Sequence, residues 1–266
     1  MLSASSFFNL SDFTHREIFA KGQFVWNALD HLKDYMQGYR YPDLDSPLLP
    51  EGVPLPATVV LYDGKILDAQ GLEIIYGDST KGGLQVKKDG EILAGAAVIM
   101  AGAVLLGRAI EIGRGVLVES GAMIKSPAII GEMSEVRHGA YLRGCCLSGK
   151  RCILGHATEI KHSIFLNDAK AGHFAYLGDS ILGNNTNLGA GTKFANLRFL
   201  PGNVVIKTKE GRFDTGRRKI GAILGDNTQT GCNSVTNPGT IFAQNCILLP
   251  TTTAPSGFHP EGTMLT

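Results

Sequence analysis

Apolar residues recur at every sixth position along the middle of the chain. The series is Ala94, Met100, Leu106, Ile112, Val118, Ile124, Ile130, Val136, Leu142, Leu154, Ile160 and Leu166, and Ser148 is its one polar interruption. A period of six is typical of a hexapeptide-repeat parallel β-helix, in which three hexads form one triangular coil. We therefore predict an all-β fold in which residues 18 apart stack on neighbouring coils, about 4.8 Å from each other.

The N-terminal part follows a helical pattern instead. An apolar stripe at helical spacing is formed by Val25, Leu29, Leu32 and Met36. Gly38 supplies a stop, so we predict a short amphipathic helix. We expect this helix to cap the β-helix as a lid over its open end, because the terminal coils of a solenoid need covering.

Between the helix and the repeat, residues 41–56 are rich in proline, which predicts an extended linker or an irregular wrap along the body. The next residues alternate in polarity and turn at Asp63 and Gly64, which predicts a small β region. Residues 1–90 are thus expected to hold the helix, the proline-rich segment and this β region.

The repeat itself divides into two blocks. It runs to about residue 195 with a phase slip near Leu177 and Leu182, and it resumes at Leu224. We predict a β-helix over residues 91–252 and a C-terminal tail over 253–266.

A basic loop interrupts the repeat at residues 198–220. Its cations are Lys207, Lys209, Arg212, Arg217, Arg218 and Lys219. A long basic loop that leaves a solenoid is either a ligand contact or a solvated hairpin.

Composition narrows the classes of partner. A net charge of +1 provides no field that favours nucleic acid or a membrane surface, so we expect neither as a partner. The five cysteines form no CxxC pair, which predicts buried thiols rather than a disulfide framework. With no uncharged apolar run of membrane-spanning length and no signal-peptide pattern, we expect a cytoplasmic protein.

Two cations stand 18 residues apart, each directly after an inward apolar residue. Arg143 follows Leu142 and Lys161 follows Ile160, so their side chains should lie side by side at one corner of adjacent coils. Two cations that close repel each other unless an anion lies between them. Either a phosphate binds there, or a carboxylate such as Glu159 neutralises the pair, or both side chains point into water.

A second pair 18 apart is His138 and His156, with His162 and His173 nearby in sequence. Zinc prefers three or four ligands in a defined geometry. We expect stacked surface histidines here and no metal site.

The segment KAGHFAYLGDSILGNNTNLGAGTKFANL, residues 170–197, is dense in polar residues and glycine and coincides with the phase slip. His173 within it is either a general base with its tautomer fixed by a neighbour or a structural histidine.

This segment resembles the acetyltransferase half of the bifunctional glucosamine-1-phosphate N-acetyltransferase and N-acetylglucosamine-1-phosphate uridylyltransferase family. The stretch GAGTKFANLRF and the later GRRKIG are similar to its sugar-1-phosphate nucleotidylyltransferase-like relatives. The resemblance implies a left-handed parallel β-helix, a homotrimer with sites between subunits, and acetyl-CoA as co-substrate with no metal requirement.

The resemblance also implies roles for individual residues. His173 matches the general base of the family. The substrate-binding positions match Arg143, Lys161, Tyr176, Asn187 and Lys219. The acetyl-CoA contacts match Ala190, Asn196, Leu197 and Cys232, where Cys232 replaces a serine of the bacterial enzyme.

The family's nucleotidyltransferase domain, with its LxAGxGTRM signature, has no counterpart in the 266 residues. We therefore expect no uridylyl transfer, although a separate nucleotidyltransferase is a possible partner. Three functions stay open: acyl transfer to an amino-sugar 1-phosphate or sugar nucleotide, a non-catalytic trimer that binds such a ligand, and a structural solenoid.

Overall fold

The computed structural model describes residues 2–266, which form a three-sided parallel β-solenoid of about nine coils. Each coil contributes one short strand to each of three sheets, called here faces A, B and C. The strands of one face pair in parallel from coil to coil, which confirms the predicted β-helix.

Each face is defined by its strands in order along the solenoid. Face A consists of Ala97–Ile99, Leu117–Val118, Glu135–Val136, Ile153–His156, Lys170–His173, Asn187–Leu188, Gln229–Thr230, Ile247–Leu248 and Met264–Leu265. Face B consists of Val104–Leu106, Met123–Lys125, Tyr141–Leu142, Glu159–Lys161, Tyr176–Gly178, Lys193–Phe194, Val235–Thr236 and Thr253–Ala254. Face C consists of Ile110–Ile112, Ala128–Ile130, Cys146–Ser148, Ser163–Phe165, Ile181–Leu182, Ala222–Leu224, Thr240–Phe242 and Gly257–His259.

The remaining elements lie outside the three faces. Residues 2–266 contain one α-helix, α1, at Asn27–Gln37, and short 3-10 helices at Ala4–Ser6, Arg16–Phe19 and Ser79–Lys81. Antiparallel strands are Val59–Tyr62 and Lys65–Asp68, then Glu73–Ile75, Gln85–Lys88 and Glu91–Ile92, and finally Val205–Thr208 and Gly211–Asp214.

Most strands point one or two side chains into the solenoid, as Ile110 and Ile112 do from one strand, and these side chains form a single apolar core. The six-residue count is correct from Ile112 to Ile160. Outside that range it is off by one: Leu105 is buried where Leu106 was expected, and Leu166 joins a different cluster while Phe165 takes the inward position. Ala94 and Met100 are likewise outside the central core, since its first coil begins with Ala97 and Ile99.

The length of a coil changes along the solenoid. Strand partners are 18 apart at Tyr141 and Glu159, but 17 apart at Glu159 and Tyr176. Five-residue steps between inward residues, from Ile160 to Phe165 and from Leu177 to Leu182, account for the shorter coils. The phase slip predicted near Leu177 is therefore a real loss of one residue per coil.

The basic loop does not disturb the ladder. Leu182 pairs directly with Leu224, and the coil between them keeps its strands Asn187–Leu188 and Lys193–Phe194. Only the basic loop leaves the solenoid and returns to it. The loop forms the hairpin Val205–Thr208 and Gly211–Asp214, as one alternative predicted. One side of it is packed rather than solvated, since Ile206 is fully buried in the cluster that covers face C.

Helix α1 packs along the side of the solenoid, so the prediction of a lid over its end is wrong. The outward residues of face C are apolar: Ile129, Leu147, Ile164, Ile181, Ile223 and Ile241. They share a buried cluster with Ala28, Leu29, Leu32 and Met36 of α1. A helix buries its apolar stripe where the largest apolar surface is available, and here that surface is a side face.

The proline-rich segment performs the capping instead. Its Leu44, Leu49 and Leu55 are buried in the interior core of the first coil. The Leu55 amide donates to Ala103 O at 2.9 Å. The hairpin that follows turns at Asp63 and Gly64 as predicted, and its first strand pairs antiparallel with Ala97–Ile99.

At the other end, residues 253–266 were expected to be a tail. They form three more strands and extend the solenoid beyond residue 252. The partners of the last two strands are again 17 residues away, as in the pairing of Phe242 with His259, so a constant count of six does not follow them.

The cysteines are all free, and three of the five are buried. Burial raises the pKa of the Cys146 and Cys152 thiols to about 12, so these thiols are unreactive packing groups.

We predict that Phe165→Ala lowers the free energy of unfolding by about 3–5 kcal/mol, because it empties a closely packed interior position. The matched control is Phe199→Ala, since that ring is fully exposed, and it should cost less than about 0.5 kcal/mol. Urea unfolding measures both, and equal losses would contradict the assignment of Phe165 to the interior.

A second prediction concerns His15, which is buried beside Tyr35 with its Nδ1 atom 2.8 Å from the hydroxyl oxygen. Burial lowers the pKa of His15 from 6.5 to about 4. Between those values the unfolded chain binds more protons than the folded one, so stability decreases as the pH falls through this range. At pH 5 the His15 contribution is a loss of about 2 kcal/mol relative to pH 7.

The measurement is urea unfolding at pH 7 and pH 5. His15→Gln should flatten the pH dependence, and His138→Gln, a change at an exposed histidine, should retain it. An equally steep dependence in His15→Gln would contradict the role of His15.

Candidate functional site

The outward side of face B carries two columns of side chains, because residues on either side of an inward residue point outward. One column contains Tyr141, Glu159, Tyr176 and Lys193, in register on consecutive strands. The other contains Lys125, Arg143, Lys161 and Gly178. The predicted stacking of Arg143 on Lys161 is therefore confirmed by the pairing of Leu142 with Ile160.

The two cations of this pair have different surroundings. Arg143 donates to Glu159 at 2.5 Å, and its guanidinium carbon lies 6.0 Å from the Tyr141 ring. The hydrogen bond to Glu159 raises the pKa of Arg143. Lys161 has no carboxylate within 4 Å among residues 2–266. The carboxylate alternative is thus correct for Arg143, and Lys161 keeps an unpaired charge.

Lys125 extends the cationic column by one coil. It precedes Arg143 by 18 residues, and its ammonium nitrogen lies 5.3 Å from the centre of the Tyr141 ring. Sequence spacing could have identified it, since the interval is the same as that between Arg143 and Lys161.

Tyr176 lies one coil beyond Glu159 on face B. Its hydroxyl lies 3.5 Å from Asn196 Oδ1, and the Asn196 amide donates to Asp179 at 2.7 Å. Burial, with smaller effects of Glu159 and Asp179, raises the pKa of Tyr176. The side chains of Tyr176 and Asn196 close over Gly178, where a Cβ atom would collide with the Asn196 amide and approach the Tyr176 hydroxyl.

His173 lies at the corner between faces A and B, at the end of the strand Lys170–His173. Its side chain is exposed and makes no side-chain hydrogen bond within residues 2–266. One predicted alternative was a general base with its tautomer fixed by a neighbour. Residues 2–266 provide no hydrogen bond that fixes the tautomer of His173.

His173 belongs to a column of three histidines. The rings of His138 and His156 stack at 5.6 Å with an angle of 16° between their planes, and His156 is the strand partner of His173. Counting by 18 missed the third member, because the step from His156 to His173 is 17. Over the described range, residues 2–266, no group of three or more His, Cys, Asp or Glu side chains could hold a metal ion.

The predicted acetyl-CoA contacts fall into two groups. Ala190 and Cys232 continue the histidine corner on the following coils, where the amide of Gly191 donates to His173 O at 3.0 Å. Of the three amides in the turn Gly189–Ala190–Gly191, only that of Ala190 lacks a hydrogen bond to residues 2–266. Asn196 and Leu197 lie instead at the base of the basic loop.

Leu197 forms a bridge with Lys219, which closes that base. The exposed side chains of Arg218 and Lys219 border an open groove that also contacts Asp179 and Arg217. Arg217 was noted in the sequence only as one of several loop cations.

Asn187 is not on face B. It lies on face A between Lys170 and Gln229, and its side chain is exposed. One chain therefore places the predicted residues on two surfaces: Arg143, Lys161, Tyr176 and Asn196 on face B, and Asn187 on face A, with His173 at the corner between them.

No helix within residues 2–266 is both long and apolar enough to span a bilayer.

Comparison with known proteins gives partial matches. A bifunctional sugar-1-phosphate nucleotidylyltransferase/acetyltransferase of Sulfurisphaera tokodaii is 38% identical over 100 residues, which is 38% of this chain and 25% of that protein. The bifunctional protein GlmU of Methanocaldococcus jannaschii is 38% identical over 107 residues, which is 40% of this chain and 26% of the relative. GlmU of a Picosynechococcus species is 32% identical over 106 residues, 40% of this chain and 20% of the relative.

This chain thus spans only a fifth to about a quarter of the length of these relatives. No protein-family model matches it.

We predict that Gly178→Ala lowers the free energy of unfolding by about 1–3 kcal/mol, because the added methyl group displaces the Asn196 amide from Asp179. Gly172→Ala is the matched control on the neighbouring face, since a Cβ atom there meets nothing within 4 Å. Thermal or urea unfolding tests the pair, and a harmless Gly178→Ala would contradict the close packing described here.

Proposed function

We propose that this protein is an acyltransferase that moves an acetyl group from acetyl-CoA to the amine of an amino-sugar 1-phosphate, such as glucosamine 1-phosphate. The observation that carries the proposal is the surface of face B. There an unpaired Lys161 and its neighbour Arg143 precede Tyr176, and His173 stands at the corner only three residues before that tyrosine.

The cations account for binding of the phosphate. Lys161 supplies a free ammonium group, and Arg143 supplies a planar guanidinium that can contact two oxygens of a phosphate. Glu159 already occupies Arg143, so the phosphate must displace or share that carboxylate. Before the substrate arrives, Glu159 reduces the repulsion between the two stacked cations.

His173 supplies the general base. The sugar amine attacks the thioester carbonyl only as the free amine, and an exposed imidazole is suited to remove a proton from its ammonium form. Attack forms the C–N bond, the tetrahedral intermediate collapses with cleavage of the C–S bond, and CoA leaves as the thiol. Per turnover, one ammonium and one thioester give one amide, one thiol and one released proton.

The free amide of Ala190 supports a place for the oxyanion near this corner. We assign Ala190, Asn196, Leu197 and Cys232 to acetyl-CoA. Asn187 and Lys219 are assigned to the sugar phosphate.

These groups lie on different faces of one chain, and this distribution supports a homotrimer in which each site is completed by a neighbouring copy. Of the two activities in the name of the Sulfurisphaera relative, we propose only acetyl transfer. The 266 residues contain no LxAGxGTRM signature.

The test is incubation of the full chain with acetyl-CoA and glucosamine 1-phosphate, with detection of the released thiol. His173→Ala should reduce kcat by about 100- to 10,000-fold, because it removes the base. His138→Ala is the matched control: it changes an exposed histidine of the same column, two coils away.

Equal rates in the two variants would overturn the role of His173. Absence of turnover in the wild type would overturn the proposed enzyme. If glucosamine 1-phosphate still raised Tm, and Lys161→Ala abolished that shift, the non-catalytic binding protein would be the correct function.

A further inference from the structure

A chain of polar contacts begins at Tyr176 and Asn196 of the proposed site and continues to the basic loop. Asn196 is bound to Asp179 Oδ2 at 2.7 Å, as described above. The other carboxylate oxygen, Oδ1, accepts from Arg217 at 3.2 Å. Asp179 therefore connects the site to the basic loop with both of its oxygens.

Asp179 requires this partner because it is nearly buried. Only 7% of its side chain is exposed, and a buried carboxylate that loses its cation is strongly destabilised. Arg217, itself 19% exposed, is the cation in contact with it. The amide of Gly221 donates to Asp179 O, so the same residue also holds the returning end of the loop.

Arg217 continues the chain to helix α1. Its Nη1 atom lies 2.8 Å from Asp30 Oδ1, in the first turn of the helix. A second contact fixes the helix at the same corner, since His162 Nε2 lies 2.8 Å from Leu29 O. Burial lowers the pKa of His162.

Arg217 also closes the base of the loop. Its Nε atom donates to Lys219 O at 3.2 Å, and Lys219 forms the bridge with Leu197. The amide of Ile220 donates to Asn196 O at 3.1 Å. The backbone of Asn196 is therefore held by the segment that Arg217 anchors, and its side chain is held by Asp179, which Arg217 contacts.

We propose that Arg217 is a positioning residue, which fixes Asp179 and Asn196 beside Tyr176 and makes helix α1 a structural part of the substrate site. This inference rests on the proposed function, because Tyr176 and Asn196 matter to turnover only if the acyltransferase site lies there. Arg217 touches no reacting atom in this arrangement. It acts through Asp179.

The test is steady-state kinetics of Arg217→Gln in the full chain with acetyl-CoA and glucosamine 1-phosphate. The value of kcat/KM should fall by about 10- to 100-fold, the size of effect that a displaced site residue produces. Arg217→Lys should recover part of the loss, because it restores one of the two ion pairs. Arg212→Gln, on the exposed strand of the same loop, should behave as the wild type.

A purely structural role would lower Tm and leave kcat/KM of the folded protein unchanged, and that result would overturn the proposal. Asp30→Asn provides a milder change, because it breaks only the outer contact with a carboxylate that is 35% exposed. If Arg217→Gln fails to fold, Arg217→Lys and Asp30→Asn must each reduce kcat/KM, and wild-type values in both would overturn it.

Hydrogen exchange without substrate separates this inference from the proposed function. Amides of residues 195–198 should exchange faster in Arg217→Gln or Asp30→Asn than in Arg212→Gln. No turnover in the wild type would remove the acyltransferase and the kinetic role of Arg217 together, while faster exchange would still show that Arg217 tethers this segment. Wild-type turnover with equal exchange and equal kcat/KM in all variants would overturn this inference alone.

Discussion

The parallel backbone ladder between coils is the constraint on which the rest of this structure depends. Each strand of a central coil pairs with strands on both sides, so the register of one coil fixes the next. The pairing of Leu182 with Leu224 shows how strong this constraint is, because the long intervening loop is expelled sideways and the ladder continues. The ladder also places every outward side chain in a column, where its neighbours are set by counting along the chain.

Columns of outward side chains concentrate like charges on one face of the solenoid. On face B they collect three cations on consecutive coils, a local density of charge that attracts an anion without any special loop. The same proximity creates repulsion, which this chain relieves by placing Glu159 beside Arg143 and the Tyr141 ring beside Lys125. An anionic ligand on face B would therefore compete with Glu159 for Arg143.

The sequence predicted the features that repeat from coil to coil, and it did not predict those that occur only once. The interior positions from Ile112 to Ile160 and the stacking of Arg143 on Lys161 follow from a constant period. The phase slip predicted near Leu177 indicates the shift to 17-residue coils, but not that the shift begins between Ile160 and Phe165, so the alignment of His156 with His173 was not seen. Counting coils also cannot reveal the contact of Asp30 with Arg217, which joins segments 187 residues apart in sequence.

The location of helix α1 could not be predicted for a related reason. The apolar stripe of a helix indicates how much of its surface must be buried, but not which surface of the protein it packs against. The position of the helix is set by the apolar outward residues of face C, with which it packs. The six-residue repeat does not distinguish these residues from other outward strand positions.

The cover on face C has a consequence for how copies of this protein can meet. A triangular prism has three sides, and here the N-terminal segment and the loop hairpin cover face C. The β region before the repeat also covers the first coils of face A, because Val86 packs with Val98 and Leu117. A second copy of this chain would therefore have to pack on face B, on the later coils of face A, or on the edge between them that carries the three histidines.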